Sequence, residues 1–170
     1  MKTFAPKLFA LLFLSTILFS CAKEEDGVYF NNANTNTELV NAKVVYSSME
    51  SEIISLVNAH RTSLGLNTLN TLNLVSGVAD GHTEYMIEAG IISHDNFSER
   101  AQVLMSEAGA KTVGENVGYG YSTAEGVVKA WIASDSHRKI MENPDYTHFG
   151  ISTGSNAENR NYFTNIFIKK

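Results

Sequence analysis

The chain has 170 residues, 44% of them hydrophobic and 10% aromatic, which suits one globular domain with its own core and leaves little room for a second. Its 13 basic side chains are outnumbered by 18 acidic ones, which gives a net charge of −5. An acidic chain lacks the basic surface that nucleic-acid binding requires, and it disfavours electrostatic docking on anionic lipid. We therefore expect no nucleic-acid partner.

The first 20 residues differ in composition from the rest. Lys2 and Lys7 precede an apolar run over residues 8–19 that only a serine and a threonine interrupt. This run is too short to span a bilayer comfortably, so it predicts a secretory signal peptide over residues 1–20 rather than an uncleaved anchor. Cleavage would leave eleven basic and eighteen acidic side chains, a net charge of −7.

The only cysteine, Cys21, follows this segment directly, and a single thiol cannot form a disulfide within the chain. The residues around it, Leu18-Phe19-Ser20-Cys21, resemble a bacterial lipobox, in which the cysteine is lipidated and becomes the first residue. The acidic stretch that follows resembles the export tags of bacterial surface lipoproteins. We expect an exported protein whose lipid at Cys21 anchors it to the cell envelope, with the outer-membrane surface as the location that such a tag implies.

Residues 21–46 are predicted to form a disordered tether. The stretch 31–37 consists only of asparagine, alanine and threonine, so it offers too little apolar surface to offset the cost of ordering. The folded domain is therefore expected over residues 47–170.

Helical periodicity begins at Ser47. Ser47 and Glu50 have the spacing of a capping box, and apolar residues then recur every three to four positions until Gly65. His60 lies on the apolar stripe of this helix, and we interpret it as a packed histidine rather than a site residue.

Two further helices follow, over residues 73–89 and 98–108. Gly90 and Gly109 supply their stop signals. His82 lies on the apolar stripe of the second helix, and we give it the same interpretation as a packed histidine.

The last third of the chain alternates between helix and strand signals. The glycine-rich segment 114–120 fits a short strand or an extended loop, and Ser122 and Glu125 repeat the capping-box spacing and open a fourth helix. Two strands are predicted over residues 148–153 and 162–168. Helices followed by paired strands predict an α+β domain, with helices packed on an antiparallel sheet.

A series of short motifs runs through this domain in a fixed order. They are Asn58-Ala59-His60-Arg61-Thr62-Ser63-Leu64-Gly65-Leu66, Met86, Ile92-Ser93-His94, Gly114-Glu115-Asn116, Trp131 with Ser134, Ser136-His137-Arg138, Phe149-Gly150-Ile151 and Tyr162-Phe163-Thr164. Each motif alone is unspecific, but the series resembles the CAP, or SCP-like, domain of cysteine-rich secretory proteins, venom antigens and plant pathogenesis-related proteins. The resemblance covers essentially the whole folded part.

The resemblance implies an α-β-α sandwich in which two histidines and two acidic residues line a central cleft, where some members hold a divalent metal. Carried over by motif, the histidines are His94 and His137, and the first acid is Glu115. The position of the second acid is occupied by Ser134, so one carboxylate of the family set is missing. The neighbouring Asp135 is expected to point elsewhere if the helix continues.

The cleft residues suit metal chemistry of a limited kind. Two neutral imidazoles and water can hold Zn²⁺ or another divalent metal, but two protein ligands make a weak site. Glu115 would act as a general base on bound water, as the hydrogen-bond partner of a ligand histidine, or only as a buried carboxylate that ties loops together. Asn116 is interpreted as a structural hydrogen-bonding residue, and Trp131 as a core anchor.

Three functions remain open. The preferred one is a non-enzymatic binding module that recognises an envelope lipid, glycan or protein, which is motivated by the missing acid and by family members that bind sterols or fatty acids. The alternative is a metal-dependent hydrolase with His94 and His137 as ligands and Glu115 as the catalytic base. The third is an interaction protein in which the polar residues only stabilise the domain.

Overall fold

The computed structural model describes residues 45–170. The predicted signal peptide, the lipidation site Cys21 and the tether up to residue 44 lie outside the described residues. Tyr46, predicted as the last tether residue, belongs to the folded domain, because its hydroxyl lies 2.8 Å from Ser76 Oγ. Within residues 45–170, no helix is long and apolar enough to cross a membrane.

Five helices and four strands make up the described part of the chain. In chain order they are α1 Ser48–Ser63, β1 Asn70–Thr71, α2 Asn73–Ala89, α3 Phe97–Glu107, β2 Thr112–Tyr119, α4 Ala124–Ala133, α5 Asp135–Met141, β3 His148–Ser155 and β4 Asn161–Lys169.

The strands form one sheet in the order β1-β3-β4-β2. Strand β4 pairs antiparallel with β3, as predicted, and also with β2, the segment for which a strand and a loop were both left open. The two-residue β1 pairs parallel with β3. Strand β1 was not predicted, because two residues are too few to show an alternating period. Among the strands of residues 45–170, β2 lies at an edge of the sheet and pairs on one side only.

The side chains of β4 alternate between two helical layers. Phe163 and Phe167 belong to a core cluster with residues of α1 and α4, whereas Ile166 and Ile168 pack with α2 and α3. The molecule is therefore an α-β-α sandwich of the α+β class, as predicted. Trp131 is 2% exposed and anchors the first of these cores.

Local signals set the start and end of α1. Ser47 Oγ accepts a hydrogen bond from the Glu50 amide, and Glu50 Oε2 accepts one from the Ser47 amide, so the predicted capping box is confirmed. The helix ends where Gly65 adopts a left-handed conformation, with φ at +73°.

The predicted start of the fourth helix was wrong by one residue. The N-cap of α4 is Thr123, whose side chain accepts a hydrogen bond from the Gly126 amide, rather than Ser122. Two adjacent hydroxyl residues can both cap a helix, and the backbone at Thr123 is the one with extended angles, φ −136° and ψ 154°.

A glycine of β3 lets α2 lie close against the sheet. A Cβ atom built on Gly150 would lie 2.5 Å from the carbonyl carbon of Val75 and 2.8 Å from Ser76 Cα. Both are backbone atoms of α2, so only a residue without a side chain fits between the helix and the strand.

Candidate functional site

The loop between α2 and α3 carries His94, whose side chain is half exposed. Two buried side chains form hydrogen bonds with the backbone of this loop. His82 Nε2 lies 2.8 Å from the Ser93 carbonyl oxygen, and Arg100 Nη1 donates to the Asp95 carbonyl oxygen at 2.6 Å. The carbonyl groups on either side of His94 are thus both tied to helices, which fixes the position of its backbone.

Glu115 projects from β2 into the same region and is 4% exposed. Its Oε1 lies 2.8 Å from His94 Nδ1 and accepts a hydrogen bond from Arg100 Nη2 at 2.8 Å, while its Oε2 accepts one from Arg100 Nε at 2.8 Å. His82 Nε2 lies 3.8 Å from Oε1. Because an ionised carboxylate only accepts hydrogen bonds, His94 must carry its proton on Nδ1.

The surroundings of Glu115 keep it ionised. Burial is the largest single influence and by itself raises the pKa of this carboxyl. The hydrogen bonds from His94 and Arg100 and the Arg100 charge act in the opposite direction, and together they hold the pKa of Glu115 below its usual value. The cleft therefore contains a carboxylate whose charge is already neutralised by Arg100.

His137 enters the cleft from the other helical layer. Ser134, with φ −90° and ψ 120°, interrupts the helix and is both the C-cap of α4 and the N-cap of α5. Its Oγ lies 2.9 Å from His137 Nδ1 and 3.2 Å from Ser136 Oγ. The helix does not continue, but Asp135 still points away as expected, because it accepts a hydrogen bond from Arg138 at the exposed surface.

His94 and His137 are brought together although they belong to opposite layers of the sandwich. Burial lowers the pKa of His137, and the neighbouring charge of His94 lowers it further. Asn116, next to Glu115 on β2, donates to the His137 carbonyl oxygen at 3.0 Å. The two histidines thus lie near enough for the charge of His94 to affect His137, with Glu115 and Ser134 as their respective hydrogen-bond partners.

The structure adds two residues to the predicted cleft. His82 is buried, as interpreted, yet it also supports the His94 loop and lies near Glu115. Arg100 was not predicted as a site residue. It lies one helical turn before the buried Leu104 of α3, and an arginine on the buried face of a helix indicates a charged partner inside the protein. His60 does not pack in the core. It is half-buried and lies 2.9 Å from Glu142 Oε1.

The donor set of the cleft fits a metal only in part. In residues 45–170, no group of three or more histidine, cysteine, aspartate or glutamate side chains is arranged to hold a metal ion. His94 and His137 both use Nδ1 for a hydrogen bond within the protein, to Glu115 and to Ser134 respectively. This arrangement leaves the Nε2 atom of each ring as the donor for an external ligand.

Three layers with two histidines at the sheet edge define the class of the molecule, an α-β-α sandwich domain with a polar cleft. The model of the CAP family, described as the cysteine-rich secretory protein family, matches residues 54–167. This match covers more than half of the chain, and the chain belongs to that family.

Two relatives from Bacillus subtilis are each 32% identical to the chain, the uncharacterized membrane protein YlbC over 131 residues and the uncharacterized protein YkwD over 139 residues. The matches cover 75% and 80% of this chain but only 36% and 52% of those proteins. The chain therefore spans between a third and about half of the length of these relatives.

Solved structures share the fold at low sequence identity. An outer surface protein from Borrelia burgdorferi has a TM-score of 0.67 and 22% identity, over 76% of this chain and 98% of that one. An extracellular protein with an SCP domain from Bacillus anthracis has a TM-score of 0.63 and 24% identity, over 76% and 45% of the two chains. NaASP2, solved with Zn²⁺, has a TM-score of 0.56 and 14% identity, over 72% and 80%.

Proposed function

We propose that this chain is an exported binding module of the CAP family, anchored to the cell envelope through a lipid on Cys21. Its cleft holds one divalent metal through His94 and His137 and recognises an envelope lipid, glycan or protein. The observation that carries the proposal is the state of Glu115, whose side chain is 1% exposed and bonded to Arg100 through both oxygens.

That observation favours binding over catalysis. A general base needs a free lone pair within hydrogen-bond reach of the water that it activates. In Glu115, Oε1 already lies within hydrogen-bond distance of His94 and Arg100, and Oε2 accepts from Arg100. Only one lone pair, on Oε2, is left, and the side chain is 1% exposed, so the hydrolase alternative would require water to reach this buried oxygen. The geometry instead suits a residue that orients His94.

The hydrogen bonds of the two histidines support the metal. Imidazole is a preferred ligand of Zn²⁺, and a ligand histidine usually donates its other ring proton to a carboxylate or another oxygen. Glu115 and Ser134 are the oxygen partners of His94 and His137. With two protein ligands the site is weak, and its remaining positions are open to water or a ligand.

The charges of the cleft indicate which ligands such a metal favours. Glu115 is neutralised by Arg100, and both ligand histidines are neutral when they bind a metal. The metal would therefore keep its full positive charge in the cleft. Ligands that offer a carboxylate or phosphate group are favoured under these conditions, and both groups occur on envelope lipids and proteins.

Zinc titration of the full chain tests the metal site. We compare the wild type with the double variant His94→Ala/His137→Ala by calorimetry and elemental analysis. The matched control is His60→Ala/His148→Ala, which removes two histidines outside the cleft. Binding that the cleft variant loses and the control keeps supports the proposal. No binding in the wild type, or equal loss in both variants, contradicts it.

The anchor is tested separately in cells. Metabolic labelling with an alkyne-bearing fatty acid should label the wild type and not Cys21→Ser, and the variant should leave the membrane fraction. If Cys21→Ser stays bound to the membrane as firmly as the wild type, the lipid anchor is refuted and the metal site is unaffected.

A further inference from the structure

Two buried asparagines face each other in the centre of the sheet. Asn116 of β2 and Asn165 of β4 are register partners, and both are 0% exposed. On its strand Asn165 alternates with Phe163 and Phe167, which belong to the core on the side of α1 and α4. Register partners point to the same face of a sheet, so both amides lie side by side on the face that this core covers.

Each amide is held in one orientation by its nitrogen. Asn116 Nδ2 donates to the His137 carbonyl oxygen at 3.0 Å, and Asn165 Nδ2 donates to the Gly150 carbonyl oxygen at 2.8 Å. Turning either amide around would place its oxygen against a carbonyl oxygen, so the hydrogen bonds fix which atom is which.

The two amide oxygens have no such partner. Oδ1 of Asn116 and Oδ1 of Asn165 are both buried, and neither accepts a hydrogen bond from any group in residues 45–170. A buried acceptor without a donor is costly, and native structures satisfy such atoms with protein groups, water or ions. Two of them on facing residues point to a shared donor.

We propose that one water molecule is bound between Asn116 and Asn165 and donates one hydrogen bond to each Oδ1. The site calls for two donors, which a single water supplies. A metal cation is a poor occupant, because Ca²⁺ and Mg²⁺ require about six oxygen ligands with carboxylates among them, and this place offers two neutral oxygens. The Cα atoms of facing residues on paired antiparallel strands are about 5.5 Å apart, so the two side chains on one face lie within reach of a single water.

The water extends a hydrogen-bonded path from the sheet to the cleft. The path runs from the Gly150 carbonyl of β3 through Asn165, the water and Asn116 to the His137 carbonyl of α5. This site is separate from the proposed metal position, because it reaches His137 through the backbone and not through the imidazole. It would hold the α5 backbone against the sheet whether or not a metal is bound.

A crystal structure of the full chain at a resolution that shows ordered water tests the site without any substitution. We expect an electron-density peak within hydrogen-bond distance of both Oδ1 atoms. In solution, the same water should give long-lived nuclear Overhauser contacts to the side-chain amides of Asn116 and Asn165. If both oxygens are paired with protein donors, or if the place is empty in the electron density, the proposal is overturned.

Thermal unfolding of leucine variants gives a second test. Asn116→Leu and Asn165→Leu each leave one amide oxygen without its shared water, so each should lower the melting temperature. The double variant removes both oxygens together, so its loss should be smaller than the sum of the single losses.

The control for this cycle is Asn58→Leu, because both polar atoms of Asn58 bond directly to the Leu69 backbone. The loss from Asn58→Leu should add to that from Asn116→Leu. Additive losses for Asn116→Leu and Asn165→Leu as well would contradict a shared water.

Discussion

Arg100 binds Glu115 through both carboxylate oxygens, with Nε 2.8 Å from Oε2 and Nη2 2.8 Å from Oε1. The two side chains are 9% and 1% exposed. The attraction in such a buried pair is largely offset by the loss of hydration, so the pair itself contributes little net stability. Its loss is costly, however, because the remaining charge is left buried without a partner.

We therefore predict that Arg100→Met destabilises the protein by about 3–5 kcal/mol, the usual cost of breaking a buried ion pair on one side. Urea unfolding followed by circular dichroism measures the change. The matched control is Arg138→Met, which removes an exposed pair with Asp135 and a hydrogen bond to the Ile132 carbonyl oxygen and should cost roughly 1–2 kcal/mol. Similar losses in the two variants would show that the buried pair has no special cost.

The ionised state of Glu115 predicts a pH dependence. Burial opposes ionisation, but the bonds from His94 and Arg100 prevail and hold the pKa of Glu115 below its unfolded value of about 4.3. A lowered carboxyl pKa means that the unfolded chain binds the proton more readily than the folded one. The Glu115 contribution to stability is therefore fully present above the unfolded pKa and is lost as the pH falls through the lower folded pKa.

This contribution is measured by comparing the wild type with Glu115→Gln, which cannot ionise. The free energy of unfolding should decline more steeply with acid in the wild type than in the variant below about pH 5. Parallel curves for the two proteins would mean that Glu115 has the same pKa in the folded and unfolded states.

The close approach of α2 to the sheet predicts a large effect of a single methyl group. Gly150→Ala places a Cβ against the backbone of Val75 and Ser76, so the helix must move, and we expect a loss of about 3 kcal/mol, the upper end of the usual cost of overpacking. Gly109→Ala is the control, since a Cβ there meets no atom within 4 Å and only its φ of +69° opposes the substitution. That strain should cost roughly 1–2 kcal/mol. Equal melting temperatures for the two variants would contradict the close packing.

Ser134 predicts how the metal site responds to its hydrogen-bond partner. The hydroxyl of Ser134 lies 2.9 Å from His137 Nδ1. A carboxylate at this position would accept the imidazole proton more strongly, so Ser134→Asp should raise the zinc affinity, and Ser134→Ala should lower it, each by about 10-fold. Zinc titration by calorimetry measures both. Ser136→Ala removes a hydroxyl that lies 3.2 Å from Ser134 Oγ rather than on the imidazole, and it should leave the affinity unchanged.

The elements that sequence analysis found are those whose ends carry local signals. Helix α2 has the predicted bounds, 73–89, because its apolar stripe and the left-handed Gly90 are encoded in adjacent residues. The break at Ser134 was not found, because the segment around it has helical periodicity throughout. The break is determined by the packing of α4 and α5 on the sheet, and such tertiary contacts are not encoded in the local periodicity.

Only the cleft residues that belong to a family motif could be predicted from the sequence. His94, Glu115 and His137 were identified from the family series, and the structure places the three around the edge of β2. Their roles in binding stay predictions. Arg100 was overlooked because an arginine on a helix normally faces solvent. What draws it inward is Glu115, 15 residues further along the chain and on a different element.

The two cleft histidines are carried by opposite faces of the sandwich, and this has a mechanical consequence. His94 lies in the loop between α2 and α3, and His137 lies in α5, which follows α4 in the other layer. Any ligand that binds both imidazole rings would therefore link the two helical layers, much as a disulfide cross-links two segments of a chain. Because such a ligand would bind only while the layers are packed together, the free energy of unfolding would rise with the ligand concentration.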